Sequence, residues 1–247
     1  DYKVTGVQTC ALPISPTALT RVQSKTGTTG SANGATSCTV TLDAAPTNGN
    51  TLIAVVSTRN NGANTVSNIS QTGTTWTRAT QATNNSGVTT EIWYAEARAT
   101  SGASVTITLN TSISTKVSAA VMEYTGVLAL NPLDAVNNNT GSSNSPSTNS
   151  ITTTQVNELI IAGIGHQNSG TTFSNPTNSF SVVASATTTD NPGGNNVVSS
   201  ALERIVTSTG TYSTGGSLGG SRSWSAAIAS FKASIPSGTP FTLGGSA

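Results

Sequence analysis

The sequence predicts an all-β protein built from two tandem antiparallel β-sandwiches that are related by internal duplication. Two pairs of matching segments support this prediction: Leu52–Val56 resembles Leu159–Gly163, and Ser118–Val121 resembles Ser225–Ile228. Both pairs are 107 positions apart. A repeat of roughly a hundred residues has the size of one sandwich. Apolar and hydroxyl residues alternate in Val105–Leu109, as expected of a strand with one buried face, and no segment has a convincing helical pattern.

The same alternation predicts strands throughout the first copy. They are expected near 19–24, 38–42, 51–57, 65–70, 75–82, 88–98, 105–109 and 116–125. In the second of these strands Cys38, Val40 and Leu42 share one parity, so we expect all three side chains to point into the first sandwich. The segments 51–57 and 117–124 are apolar on both faces, which predicts central strands that are covered on each side.

The second copy begins after Asn131-Pro132. Its strands are predicted near 133–138, 150–154, 158–165, 171–175, 179–187, 197–207 and 223–232. We therefore divide the chain into an N-terminal extension (1–17), a first sandwich (18–131), a second sandwich (132–235) and a C-terminal tail (236–247). The short connector between the copies predicts that the two sandwiches stack end to end.

The two copies differ at one place. Where the first has Val105–Leu109, the second has the glycine-rich stretch Tyr212–Gly220, and Pro176 stands where the first copy has Ile69. Glycine weakens a strand and proline confines it to an edge. The second sandwich is therefore expected to be short of strand material on one side, with an ordinary longer loop as the alternative interpretation.

Composition excludes several classes of partner. Only 8% of the residues are charged, the formal net charge is +1, and Lys and Arg form no run. Nucleic-acid binding is therefore not expected. No stretch of about eighteen apolar residues is present, so we predict no membrane-spanning helix.

Residues suited to catalysis or metal binding do not form a convincing site. The single histidine, His166, follows a hydrophobic strand, and we expect it at a strand end facing water. Without Cys10, for the reason given below, Cys38 is the one remaining thiol and cannot build a metal cluster. Four glutamates are expected at the surface rather than as paired catalytic carboxylates: Glu91, Glu96, Glu123 and Glu203. We predict no enzymatic activity and no catalytic, cofactor-binding or metal-binding residues.

A carbohydrate-binding or adhesive module is the alternative function. Trp76, Trp93, Tyr94 and Trp224 would form a sugar-stacking platform if several of their rings faced solvent. Because Trp93 and Tyr94 are adjacent in a strand, they point to opposite faces. Four asparagines fit the N-glycosylation pattern, which makes glycans a further candidate partner: Asn68, Asn84, Asn110 and Asn138.

The segment Val4–Ile14 is identified as the translation of a standard short-read sequencing adapter. We therefore expect residues 1–15 to be a translated artefact that stands in place of native sequence. Under this interpretation Cys10 is not part of the fold. The lack of an initiator Met or a signal peptide then carries no information about location.

The repeated domains resemble a known family. Both predicted sandwiches are rich in Thr, Ser and Asn, and they share a central strand (52–56 and 159–163) and a strand that begins Ser-Ala-Ala (118–121 and 225–228). In these features the chain is similar to jelly-roll protomers of environmental bacterial extracellular fibrils. The resemblance spans residues 18–235. It implies a structural subunit, located outside the cell or at its surface, whose partners are copies of itself in a helical filament.

The resemblance also implies assembly by donor-strand exchange, in which an N-terminal strand of one protomer completes a sandwich of another. An incomplete sandwich exposes unpaired backbone groups, and a donated strand satisfies them. Leu19 and Val22 are the candidate donor residues. The candidate acceptor residues lie around the glycine-rich stretch: Tyr212, Gly215, Gly216, Leu218 and Pro176. The segment before Thr20 is expected to run extended into another protomer.

Overall fold

A computed structural model describes residues 18–29, 35–59, 65–110, 116–168, 170–188 and 196–234. These residues form strands, turns and irregular connections, and none of them lies in a helix. All strand pairs are antiparallel. The predicted all-β class is therefore confirmed. The expectation for residues 1–15 lies outside the described residues.

The first half of the chain contains a strand at every predicted position. The strands are β1 (Thr20–Thr28), β2 (Ser37–Thr41), β3 (Thr51–Arg59), β4 (Val66–Gln71), β5 (Thr74–Thr75), β6 (Thr77–Asn84), β7 (Val88–Glu96), β8 (Ser104–Leu109) and β9 (Lys116–Thr125). Trp76 separates β5 from β6 and divides the predicted strand 75–82 between two sheets.

The second half also follows the predicted positions and adds two short strands. The strands are β10 (Leu133–Ser143), β11 (Ile151–Thr152), β12 (Glu158–Asn168), β13 (Phe173–Ser174), β14 (Ser181–Thr187), β15 (Asn196–Val206), β16 (Thr211–Tyr212), β17 (Ser217–Leu218) and β18 (Arg222–Lys232). The two additional strands are β16, which ends at the first residue of the glycine-rich stretch, and β17, which lies within that stretch.

Strands β1 to β9 form the first sandwich. A five-stranded main sheet, in the order β1-β9-β3-β7-β6, packs against a four-stranded outer sheet, in the order β2-β8-β4-β5. Side chains from both sheets enclose one apolar core. Cys38, Val40 and Leu42 are buried in this core, whereas Thr39 and Thr41 are exposed. The predicted orientation of β2 is therefore confirmed.

Strands β10 to β18 form the second sandwich. Its main sheet has the order β10-β18-β12-β15-β14, in which each strand takes the place of a counterpart in the first main sheet. Its outer layer consists of two short pairs, β11-β16 and β13-β17. Ile160, Ala162, Ile164 and Leu202 of the main sheet pack with Ile151 and Leu218 of the outer layer in a second apolar core.

The two main sheets pack face to face, and their contact forms a third core. This core includes Ile53, Val55, Met122 and Tyr124 of the first sheet and Leu159, Ile161 and Phe231 of the second. Strand β3 lies over β12, β1 lies over β14, and β6 lies over β10. End-to-end stacking is therefore wrong. Because the central strands are apolar on both faces, as predicted, each main sheet requires cover on both sides, and the other main sheet provides it.

Two glycines of β12 let the main sheets approach closely. A Cβ atom at Gly163 would lie 2.6 Å from Val55 Cγ1. At Gly165 it would lie 2.3 Å from Thr90 Oγ1 and 2.5 Å from Ser57 Oγ. All three distances are shorter than a Cβ atom tolerates, so these positions require the absence of a side chain.

Around Gly165 the contact between the sheets is polar. Ser57 Oγ donates a hydrogen bond to Ser199 Oγ at 2.9 Å, and the hydroxyls of Thr90 and Ser225 are hydrogen-bonded at 2.7 Å. All four side chains are buried. Apolar packing at one end and directional bonds at the other therefore fix the relative position of the sheets.

The predicted single offset fails by one residue in the central strand. Leu52 packs in the core of the first sandwich, whereas Leu159 faces the contact between the main sheets. It is Ile160 that points into its own sandwich as Leu52 does, while Ala119 and Ala226 both face their own cores. The equivalence of Leu52 with Leu159 that the offset of 107 positions predicts is therefore wrong, because a shift of one residue turns a side chain to the opposite face.

We expect Gly165→Ala to lower the free energy of unfolding by about 1–3 kcal/mol, the usual cost of forcing an extra carbon into a packed site. Urea denaturation followed by tryptophan fluorescence measures the change. Gly219→Ala is the matched control, since the nearest atom to its Cβ, Thr171 Cγ2, would lie 3.7 Å away. Equal stability of the two variants would contradict the close approach of the sheets.

Candidate assembly site

Four of the five predicted acceptor residues lie in the segment 211–218, which runs through the middle of the outer layer of the second sandwich. On one side Tyr212 pairs with Ile151, and on the other side Leu218 pairs with Phe173. The segment thus takes the position that β8 has between β2 and β4 in the first sandwich. Short strands and separate backbone hydrogen bonds replace a continuous strand there.

The glycines of this segment allow close packing. A Cβ atom at Gly215 would lie 2.7 Å from the carbonyl oxygen of Pro146, and one at Gly216 would lie 2.4 Å from the ring of Phe173. The amide of Thr177 donates to the carbonyl of Gly215 at 2.9 Å. The chain therefore needs glycine here to pass between its own neighbours.

The predicted acceptor residues are therefore gathered in one layer, with the partly buried Pro176 next to Thr177. Within the described residues this position is occupied by the chain itself. A strand donated there would have to displace segment 211–218. The assembly role of these residues stays a prediction.

The predicted donor residues lie at the beginning of β1. Leu19 packs, partly buried, against the core between the main sheets, and Val22 is 51% exposed at a register shift in the β1–β9 pair. From Thr20 onward the chain belongs to its own main sheet. Of the segment expected to be donated, before Thr20, the structure describes only Ala18 and Leu19; the rest lies outside the described residues.

The start of β1 is bound to the second sandwich by polar contacts. Arg21 forms an ion pair of 2.8 Å with Glu203 of β15, and Tyr124 Oη donates to the same carboxylate at 2.7 Å. Burial, together with the Glu203 carboxylate, raises the pKa of Tyr124, so its hydroxyl stays protonated and available as a donor. The first described strand therefore begins at the junction of the two sandwiches.

Strand β14 forms an open edge beside this junction. It pairs with β15 on its inner side, and within the described residues no strand pairs with its outer side. None of its residues, Ser181–Thr187, is charged, and Val182 is 40% exposed. Edge strands normally carry charges or proline that prevent pairing with other chains, so this edge is a candidate strand acceptor. The sequence prediction missed it, although the uncharged β-forming run was visible.

The three tryptophans do not form a platform for sugars. Trp76 and Trp93 are buried in the first sandwich and Trp224 in the second, and each is at most 8% exposed. Each indole N–H is also engaged, on Gln71, Glu91 and Ser143 respectively. Tyr94 points to the opposite face from Trp93, as expected, and contacts Phe231 edge to face. The described aromatic side chains therefore offer no exposed stacking surface of the expected kind.

His166 is fully buried, and the expectation that it faces water is wrong. Strand β12 continues to Asn168, three residues beyond the predicted end, so His166 stays on the same face as Ile164 and lies opposite Trp224. Its Nδ1 donates to the carbonyl of Gln167 at 2.9 Å, and Nε2 has no hydrogen-bond partner. Burial lowers the pKa of His166, and Arg222 adds to this effect.

Two of the four glutamates expected at the surface are buried instead. Glu91 accepts hydrogen bonds from Val66 N at 2.7 Å and Trp93 Nε1 at 2.9 Å, and burial raises its pKa against the effect of these bonds. Glu123 accepts from the amide of Thr47 at 2.8 Å, among other donors. Glu91 thus connects β7 to the first residue of β4, whereas Glu123 connects β9 to the loop before β3. Both carboxylates are occupied by structural donors.

The described residues form neither the nucleophile turn of a serine hydrolase nor a cluster of metal ligands. Gly215–Gly219 fits the Gly-x-Ser-x-Gly spacing of serine hydrolases, a match that our sequence prediction overlooked. Its Ser217 lies in β17 with no following helix, which that motif requires. No group of three or more His, Cys, Asp or Glu side chains suited to a metal ion occurs among the described residues. Those residues also include no helix that could cross a bilayer.

Comparison with protein-family models, curated proteins and solved structures found no match for this chain.

We expect the buried neutral imidazole of His166 to make stability depend on pH. Because its folded pKa is lowered, the unfolded chain binds the proton more tightly, so the free energy of unfolding falls as pH drops below about 6.5. The slope contributed by this residue is at most about 1.4 kcal/mol per pH unit. Urea denaturation at a series of pH values from about 7.5 to about 5.5 measures this pH dependence of the free energy of unfolding.

His166→Gln is the comparison variant, since it removes the titrating imidazole and keeps all carboxylates. The contribution of the carboxylates is then the same in both proteins and cancels in the difference between their pH profiles. The variant should show the flatter profile. Parallel profiles for the two proteins would contradict a buried neutral histidine.

Proposed function

We propose that this protein is a structural subunit of an extracellular filament that polymerises by donation of an N-terminal strand. The observation that supports this proposal best is the open, uncharged edge of β14 beside the place where the chain enters β1. A strand that leaves one copy at this junction needs an edge on the next copy, and β14 offers one.

The revised acceptor is the edge of β14, in place of the filled position at 211–218. An added strand would hydrogen-bond to the outward N–H and C=O groups of Ser181–Thr187 and place alternate side chains beside Val182. Donation from the start of one copy to the edge of another is a head-to-tail contact. When the rotation that relates successive copies does not close a ring, such contacts repeat indefinitely and produce a filament.

The architecture suits a structural role. Three apolar cores hold the layers together, and the central core between the main sheets joins the two sandwiches. Arg21 and Tyr124 bind Glu203 across the junction at the point where a donated strand would transmit load. In such a subunit, force from a neighbour would pass through the contact between the two sandwiches.

Immunogold electron microscopy tests the function directly. Antibodies raised against residues 18–234 should label filaments in a regular pattern along their length on the source cells. Label confined to the cell envelope or to dispersed particles would contradict a filament subunit and would favour the adhesive module.

A substitution at the edge tests the assembly mode. We expect Val182→Lys to abolish self-association of the purified protein that carries its native N-terminal segment in place of residues 1–15, because a charge on an edge strand opposes pairing. Light scattering at increasing protein concentration, followed by electron microscopy, measures association. Val156→Lys is the matched control, since Val156 is 54% exposed in the turn before β12. Equal association of both variants would exclude β14 as the acceptor.

A further inference from the structure

Three side chains with complementary chemistry meet at one end of the second main sheet. Lys232 is the last residue of β18, Asp134 is the second residue of β10, and Glu158 is the first residue of β12. Strand β18 lies between the other two, and Lys232 is directly opposite Glu158 in the register. Lys232 Nζ is 3.0 Å from Asp134 Oδ1. An amine, a carboxyl carbon and a second carboxyl group are thus adjacent on three neighbouring strands.

The two carboxyl groups of the cluster are shielded from water, whereas the Lys232 side chain is 28% exposed. Glu158 is fully buried, and the side chain of Asp134 is 3% exposed. Thr154 holds the Asp134 carboxylate with its amide, at 2.7 Å from Oδ2, and with its hydroxyl, at 2.5 Å from Oδ1. Glu158 Oε1 accepts a hydrogen bond from the amide of Gln155 at 3.1 Å, and Oε2 is buried and accepts none.

The electrostatics of the pair favour a proton on Glu158. Burial, reinforced by the neighbouring Asp134 carboxylate, raises the pKa of Glu158. Burial also acts to raise the pKa of Asp134, but hydrogen bonds from Thr154, Lys232 and Glu158 outweigh it and lower the value to about 2. A protonated Glu158 can donate through Oε2, the oxygen that accepts no hydrogen bond.

We propose that Lys232 and Asp134 join in an intramolecular amide bond, with Glu158 as the proton-transferring group. The Lys232 ammonium first gives one proton to the Asp134 carboxylate, and the neutral Nζ then attacks Cγ. Glu158 donates its proton to the departing Oδ1 hydroxyl, which leaves as water, and recovers a proton from Nζ. One N–C bond forms, one C–O bond breaks, and Glu158 ends as it began.

The surroundings support each part of this step. The short Nζ to Oδ1 distance places the nucleophile beside the carbon that it attacks, and this proximity replaces a bimolecular encounter. The Thr154 amide is positioned on Oδ2, where negative charge develops in the tetrahedral intermediate. A buried acid that hydrogen-bonds to Asp134 and lies opposite Lys232 in the strand register can pass a proton between the reacting groups.

The first sandwich offers no such reaction at the matching end of its main sheet. The buried carboxylate there, Glu123, accepts hydrogen bonds from Thr47 N, Asn50 Nδ2 and Gln23 Nε2. Among these partners there is no amine, so the network is held by hydrogen bonds alone. The proposed bond is therefore specific to the second sandwich.

The bond would connect the first and last strands of the second sandwich. Tension applied at the two ends of that domain would then pass through a covalent crosslink between β10 and β18 instead of separating them. This consequence suits a filament subunit, but the crosslink itself does not depend on the proposed function.

Intact mass spectrometry of the purified, denatured full chain tests the proposal. The measured mass should be lower than the sequence mass by one water, and tandem spectrometry of a protease digest should find the peptides of Asp134 and Lys232 joined. A folded chain with the full sequence mass would overturn the proposal.

Three variants locate the bond. Lys232→Arg should restore the full mass, because arginine keeps the charge but lacks the nucleophilic amine. Persistence of the water loss in this variant would overturn the proposal, since a cyclised aspartate loses the same mass. Lys25→Arg is the matched control and should keep the loss, because the Lys25–Asp43 ion pair, at 2.8 Å, is exposed.

Glu158→Gln should leave the chain unlinked while circular dichroism shows it folded. A linked Glu158→Gln chain would overturn the assignment of proton transfer to Glu158. Formation of the mass loss can also be followed in wild-type protein refolded from denaturant, so the test does not depend on the variants.

Discussion

The need to cover both faces of each main sheet governs this structure. Strands β3, β9, β12 and β18 are apolar on both sides, so a single sandwich would leave one face of its main sheet in water. Packing the two main sheets against each other removes both exposed faces at once. The connector between the sandwiches, the ion pair of Arg21 with Glu203 and the small residues of β12 all follow from that contact.

The two main sheets share a strand order but are not interchangeable at their contact. Val55 of the first sheet packs where Gly163 of the second has no side chain, and Ser57 and Thr90 occupy the space beside Gly165. Large residues on one surface therefore meet small ones on the other. Two copies of either surface would clash or leave voids, so this contact favours the pairing of a first sandwich with a second.

Charge is scarce in this chain, and much of it is used internally. Glu91, Glu123 and Glu158 are buried and organise backbone amides or neighbouring side chains. A buried carboxylate without such donors would be costly, so each one fixes the residues around it. The surface consequently depends on Ser, Thr and Asn for its polarity, and an uncharged edge such as β14 is a natural result.

The sequence alone determined the strands and one set of orientations. Alternation with a period of two predicted the position of nearly every strand and the burial of Cys38, Val40 and Leu42, because these features depend on the local pattern. Only the tertiary structure decided the face-to-face packing, the burial of His166, the open edge of β14 and the cluster around Lys232. Those features depend on contacts between distant strands, and a register shift of one residue, as at Leu159, reverses a face without changing the local pattern.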